Sequence, residues 1–234
     1  MAMSKRHKKN LELFDPTKKY FLADAFALVE KFEGPKFDET INVAFRLGID
    51  VKQADQQVRG ATTLPNGLGR KVRVLVFAKG PKAEEAQGAG ADFVGAEDLV
   101  EKIQGGWLDF DKVIATPDMM ATIAKVSRVL GPRGLMPNPK LGTVTLDVVK
   151  AIEEERKGKV EFRAEKSGIV HAPIGKRSFG AEKLAENFKS LSEMIMKMKP
   201  NAAKGTYLKS VTVSGSMTPG IRLETSQLIA TVKA

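Results

Sequence analysis

The sequence predicts a mixed α/β and α+β chain. A discontinuous α+β domain is made from residues 1–67 and 159–234, and a three-layer α/β domain is inserted at 68–158. Three observations predict this. Strand-like segments near both ends alternate apolar and polar residues, the pattern of a sheet covered on one face. Those in the middle are continuous apolar runs separated by helical segments, as in parallel strands covered on both faces. Leu64-Pro65-Asn66-Gly67-Leu68-Gly69 and, later, Gly158 mark where one style gives way to the other.

Residues 1–19 are polar and basic and predict a loosely held lead-in. Ala25, Phe26, Val29 and Phe32 recur at helical spacing, so a helix is expected over 22–32, ended by Gly34-Pro35. From Thr40 to Leu47 the residues Ile41, Val43, Phe45 and Leu47 share one face of a half-buried strand. A polar stretch over 50–59 follows. In the middle segment, 72–77 reads as a buried strand, 81–87 as a short helix and 92–94 as a short strand. Residues 97–104 read as a helix, with Gly105 placed for a left-handed cap. Residues 111–115 form another buried strand. Thr116-Pro117-Asp118 supplies a hydroxyl N-cap and a first-turn proline for a helix that Gly131 closes. Beyond Lys159 alternation returns: 160–163, a turn at Lys166-Ser167-Gly168, and a returning strand at 169–174. An amphipathic helix spans 181–199 with Leu184, Phe188, Leu191, Ile195 and Met198 on one stripe, and strands at 207–214 and 221–223 close the domain.

Among 234 residues, 38 Lys+Arg face 28 Asp+Glu, a net charge of +10 that favours a polyanionic partner. The charge is uneven: +2 over 1–67, +1 over 68–158 and +7 over 159–234. The excess thus falls on the segments assigned to the discontinuous domain, as expected of a basic surface on a folded module. Zero cysteines exclude disulfides, thiolate nucleophiles and Cys-ligated metals. Two histidines, His7 and His171, leave little for a metal site or a triad, so no cofactor and no metal are expected. No apolar run has the length of a signal peptide or a membrane span, and the expectation is a cytoplasmic protein with no membrane partner.

An α/β domain invites an enzymatic reading. Dinucleotide binding needs G-x-G-x-x-G after the first strand, where glycines admit the pyrophosphate. The matching turn, Ala78-Lys79-Gly80-Pro81-Lys82, has one glycine and a proline that deletes a donor. No Gly-Lys-Ser/Thr tripeptide exists for a P-loop. Glu153-Glu154-Glu155 points in different directions on a helix and is explained by solvation or salt bridging. No catalytic constellation emerges.

The most unusual stretch is LGPRGLMPNPK at 130–140. Its prolines and glycines predict a shaped loop. Two readings stand: Arg133 and Lys140 reach phosphates, or Leu135 and Met136 plug the loop onto its own domain.

That stretch resembles the signature of the bacterial large-subunit ribosomal L-one family. The resemblance runs along the chain through KFDET at 36–40, LGID at 47–50, DQQVRGAT at 55–62, LP-G-GR-VRV at 64–74 and GWLDFD at 106–111. It continues in SGIVHAPIGK at 167–176, KPNAAKG at 199–205 and SMTPG at 216–220. It implies the two-domain architecture, with a Rossmann-like insert, and a non-enzymatic stalk protein that is monomeric when free. The implied partners are the rRNA stalk region of the large subunit, exit-site tRNA whose deacylated form the stalk helps release, and the protein's own operon mRNA, which it represses. It implies RNA contacts at Lys36, Phe37, Thr40, Lys166, Ser167, Gly168, His171, Ser210, Ser216, Met217, Thr218 and Gly220. Arg133 and Lys140 are candidates for a secondary RNA or interdomain contact. From residue type alone, Phe37 stacks on RNA or belongs to the core. Where the family usually has Thr-Met-Gly, this chain has Ser216-Met217-Thr218, so a β-branched side chain is expected where backbone lies against RNA.

Overall fold

A computed structural model describes residues 4–226 and Leu228. The helices and strands run, in order, α1 Lys5–Glu12, α2 Leu22–Lys31, β1 Thr40–Leu47, β2 Arg59–Thr63, β3 Val74–Phe77, α3 Pro81–Gly88, β4 Phe93–Gly95, α4 Glu97–Gln104 and β5 Lys112–Ala115. They continue with α5 Met120–Ile123, α6 Ser127–Leu130, α7 Val148–Arg156, β6 Lys159–Arg163, β7 Ile169–Lys176, α8 Gly180–Lys197, β8 Leu208–Gly215 and β9 Ile221–Leu223. The chain divides into two compact units, one of residues 1–69 and 160–234 and the other of residues 70–159.

In the first unit, a four-stranded sheet has the order β7-β1-β8-β9, with β1 antiparallel to both neighbours. Ile41, Val43, Phe45 and Leu47 are buried on one face, together with Val170, Ala172, Ile174, Val211, Val213, Ile221 and Leu223. Helices α2 and α8 cover that face with Phe26, Val29, Leu184, Phe188, Leu191 and Ile195. The rings of Phe45 and Phe188 stack with centroids 5.8 Å apart, joining sheet to helix. Burying such side chains is the main stabilising term, about 1.5–3 kcal/mol each. Asn187, fully buried on α8, is satisfied: its Nδ2 donates to Ile174 O (2.7 Å) and Gly67 O (3.0 Å), and its Oδ1 accepts from Asn66 N (3.0 Å). The Pro-Gly turn is thereby tied to the helix, with Gly67 at φ 66°.

Two expectations fail in this unit. The lead-in is not loose: α1 is held because Asn10 is buried, its Nδ2 donating to Glu33 O (3.1 Å) and its Oδ1 accepting from Glu33 N (2.8 Å). Nor do 160–163 and 169–174 form a simple hairpin. The turn is real, with Gly168 at φ 73°, but β6 pairs with β2 in a separate two-stranded sheet while β7 joins β1. An isolated bridge, Ala164 to Val170, connects the two arms. Strand β2 itself falls in a stretch whose residues, Arg-Gly-Ala-Thr-Thr, carry little apolar pattern.

In the second unit, β4-β3-β5 are parallel and sandwiched between helices. Val74, Val76 and Ile114 pack with Ala86 of α3 and Val148, Ala151 and Ile152 of α7. Leu75, Phe77, Val113 and Ala115 pack on the other side with Leu99 and Ile103 of α4, Ile123 of α5 and Leu130 of α6. The cap expected at Gly105 is displaced by one residue: Gly105 has φ −71°, and Gly106 takes the left-handed position at φ 94°. Thr116 stands at the N-cap position with Pro117 in the first turn, but its hydroxyl makes no cap bond and faces Phe77 O at 3.4 Å, and the expected helix to Gly131 is broken into 3₁₀ and α segments. Of the acidic run, Glu153 meets Lys157 and Glu154 meets Lys159, each at 3.1 Å, while Glu155 is buried 3.8 Å from Lys112.

Candidate nucleic-acid interface

The alternation that buries one face of the four-stranded sheet leaves the other uncovered. Register places Pro173, Asn42 and Ser214 in one row, His171, Ala44, Thr212 and Arg222 in the next, and Ile169, Arg46 and Ser210 in a third. All ten side chains are at least partly exposed. None is acidic, most are small or hydroxylated, and Arg46, His171 and Arg222 are exposed. Such a surface is rich in hydrogen-bonding groups and carries two arginines and no carboxylate.

At the start of β1, the segment 36–40 and the turn 216–220 are held side by side by a buried carboxylate. Glu39 has no exposed surface. Its Oε1 lies 3.3 Å from Arg177 Nη1, and its Oε2 accepts from Met217 N at 3.1 Å. Arg177 in turn donates to Glu30 O and Phe32 O. Asp38 accepts from Ser178 N and Oγ at 3.1 and 2.7 Å. Thr40 O accepts from Ser216 N (3.1 Å) and Ser216 Oγ (3.2 Å), and Thr40 Oγ1 accepts from Lys176 Nζ at 3.0 Å.

This framework leaves Lys36 exposed and displays two large apolar side chains, Phe37 at 58% and Met217 at 53% exposure. Phe37 therefore is not a core residue. Thr218 departs from expectation: it is buried, and its Oγ1 accepts from Gly215 N at 2.9 Å, so its branch turns into the turn instead of standing on the surface. Gly220 is needed for space, since a Cβ there would stand 2.9 Å from Thr212 Cγ2 on the open face.

At the other end of β1, Leu47 N donates to Gly168 O at 2.9 Å, and a Cβ on Gly168 would come within 3.3 Å of Leu47 O. Lys166 and Ser167 are exposed on this turn. The structure thus gathers Lys36, Phe37, Thr40, Ser216, Met217 and Gly220 at one end of the sheet, His171 and Ser210 across its middle, and Lys166, Ser167 and Gly168 at the far end. An eight-residue strand separates the ends by about 25 Å.

Arg133 and Lys140 belong to the second unit. Both are exposed on a loop in which Leu135 and Met136 pack against that unit's core. Asn138 fixes the loop, its N donating to Thr143 Oγ1 and its Oδ1 accepting from Lys140 N, each at 2.8 Å. The plug reading of the loop therefore describes its shape, and the two cations project from it. Sequence reasoning missed Asn42, Arg46, Thr212, Ser214 and Arg222 on the open face, and Glu39 with Arg177 beneath it. The KFDET segment does contain Glu39, but as a charged residue among charged residues. Among the described residues there is no cluster of metal-ligating side chains, and no helix is long and apolar enough to cross a membrane.

An uncovered polar sheet face carrying two arginines, with Phe37 and Met217 exposed at one end, is the kind of surface that docks on a partner by complementarity of shape and charge. The chain belongs to the ribosomal protein L1p/L10e family, whose model matches residues 29–219. It is 60% identical over 220 residues, 94% of either chain, to a large ribosomal subunit protein uL1 from Bdellovibrio bacteriovorus.

Proposed function

We propose that this chain is a structural, non-catalytic protein of the large ribosomal subunit whose open sheet face docks on a folded junction of the large-subunit rRNA, at the stalk beside the exit site. In this reading it helps release deacylated tRNA there, and the same face binds a similar structure in its own operon mRNA and represses translation. The observation that carries the reading is the acid-free open face, flanked at one end by Phe37 and Met217 and at the other by Lys166 and Ser167.

The physics favours RNA. Side chains cannot enter the deep A-form major groove, whereas the wide minor groove offers 2′-hydroxyls and sugar edges. Ser210, Thr212 and Ser214 present hydroxyls along one strand for such contacts. Arg46, Arg222, Lys36 and Lys166 neutralise phosphates and set the register, while shape supplies specificity. Phe37 and Met217 bury against bases or riboses, each releasing water-exposed apolar area. With about six phosphates neutralised, log affinity falls with log salt at a slope of about −4 to −5.

The test is competition: the protein bound to an rRNA stalk fragment is challenged with bulk tRNA. Resistance to a large excess supports specific docking. Equal displacement by bulk tRNA reduces the surface to a general polyanion binder and defeats the reading.

A further inference from the structure

Beyond Leu47, where the outer rows of the sheet end, the first unit contains a groove of about 1010 Å³. It is bordered by Lys52 from the loop after β1, Arg59 of β2, Arg163 of β6 and Lys166 of the following turn, with Glu165 as the acid in its lining. Among the described residues none of these four cations is ion-paired. The floor is apolar, formed by buried Val58 and Ala164. Four unpaired cations around one concavity repel each other, and the fold gains nothing visible from holding them together. A polyanion entering the groove removes that repulsion.

We propose that this groove holds a stretch of RNA sugar–phosphate backbone leaving the sheet face, as an arm of the interface that no residue of the sheet supplies. The proposal rests on the RNA-binding reading above and extends it. Lys166 and Ser167 belong both to the groove and to the far end of the open face, so a strand lying on the sheet passes into the groove without a break. The lining has no aromatic side chain, which removes the stacking platform that bases need on single-strand binders. The strand therefore enters with its backbone: phosphates meet Lys52, Arg59 and Arg163, and riboses lie over Val58 and Ala164. The contact is indifferent to base identity and raises affinity and association rate instead of selectivity.

Two measurements on the full chain test it. The first is the triple variant K52Q/R59Q/R163Q, which touches no residue assigned to the sheet interface. With an unchanged far-UV spectrum and melting midpoint, it should make the salt slope on the rRNA fragment shallower by about 2 and weaken binding at low salt by at least tenfold, at about 0.7 of slope per single-strand phosphate. Its preference for the fragment over bulk tRNA should stay the same. The second uses the absence of cysteine: Gln57→Cys, on the groove wall, carries a single tethered iron chelate, which should cut the bound fragment within one short backbone segment. An unchanged slope and affinity, cutting no stronger than free chelate, or protection of the tethered site by a poly-glutamate peptide but not by RNA, each overturns the groove. These failures leave parent binding intact and are thereby told apart from failure of the RNA reading itself. In that case the parent chain shows no preference for the fragment, and the groove assignment falls with it.

Discussion

In the second unit every residue of β3 is buried, because Val74 and Val76 face one helical layer while Leu75 and Phe77 face the other. In the first unit alternate residues of β1 are buried, and the rest look into solvent. The two sheets are made by one chain from similar residue types. The difference lies in whether helices close both faces or one, and it decides what each sheet is free to do. A doubly covered sheet spends its side chains on its own stability; a singly covered one has a face left over. Charge follows the same division, with 23 Lys+Arg against 15 Asp+Glu in the open-faced unit and 15 against 13 in the closed one.

The largest expected loss is at Glu39, where the open-faced unit hides a charge. Glu39→Ala strands Arg177 partly buried and unpaired and should cost about 3–5 kcal/mol, read as a lower midpoint in urea unfolding. A loss under 1 kcal/mol would mean that the turn at 216–220 is held by its backbone alone. Next is Met217→Asp, on the exposed tip. RNA affinity should fall by about 3 kcal/mol through a buried, unpaired carboxylate facing phosphates, with the melting midpoint unmoved. Unchanged affinity removes the tip from the interface.

The tyrosine signal in an alkaline titration comes from the first unit, because both tyrosines, Tyr20 and Tyr207, lie in it. Burial pushes the Tyr207 hydroxyl up to about 12 while it donates to Ile195 O at 3.1 Å. Below pH 10 both folded and unfolded forms keep the proton. Between about 10 and 12 only the unfolded form loses it, so stability falls across that window by about 2–3 kcal/mol. Tyr207→Phe should flatten that portion of the stability–pH curve; an identical curve would place the alkaline loss elsewhere. The smallest effects come from paired conservative changes. Val76→Ala in the closed sheet should cost about 2 kcal/mol of stability and leave RNA binding alone. Thr212→Val on the open face should alter stability by less than about 0.5 kcal/mol and weaken binding by about 1. A reversed pattern would defeat the contrast between the sheets.

How far the sequence discloses this architecture depends on what each element buries. Strand β1 is legible because one-sided burial writes a period of two into Ile41, Val43, Phe45 and Leu47. Helix α1 is illegible by that route: its one buried residue is Asn10, and a single amide leaves no periodic trace. The turn at Gly168 is readable from its residues, but which strand β6 pairs with is settled by distant β2, whose own residues carry no such pattern. The same limit applies to the interface. Motif residues such as Phe37, Lys166 and Met217 can be picked out one by one. Asn42, Arg46, Thr212, Ser214 and Arg222 are ordinary polar residues on outer strand positions, and only register across β1, β8 and β9 makes them a surface.

The central position of β1 has a consequence for synthesis. Its partners β7 and β8 begin 129 and 168 residues after Thr40, so the sheet stays open until most of the polypeptide has left the translating ribosome. The inserted unit is complete once Lys159 has emerged and can fold first, with short-range contacts and little closure entropy. A nascent chain stopped before β8 would carry a folded insert and a β1 with an unpaired edge, but no assembled open face. The four-stranded open face is therefore the last feature the chain assembles, and a copy terminated before β8 lacks the row of Ser210, Thr212 and Ser214.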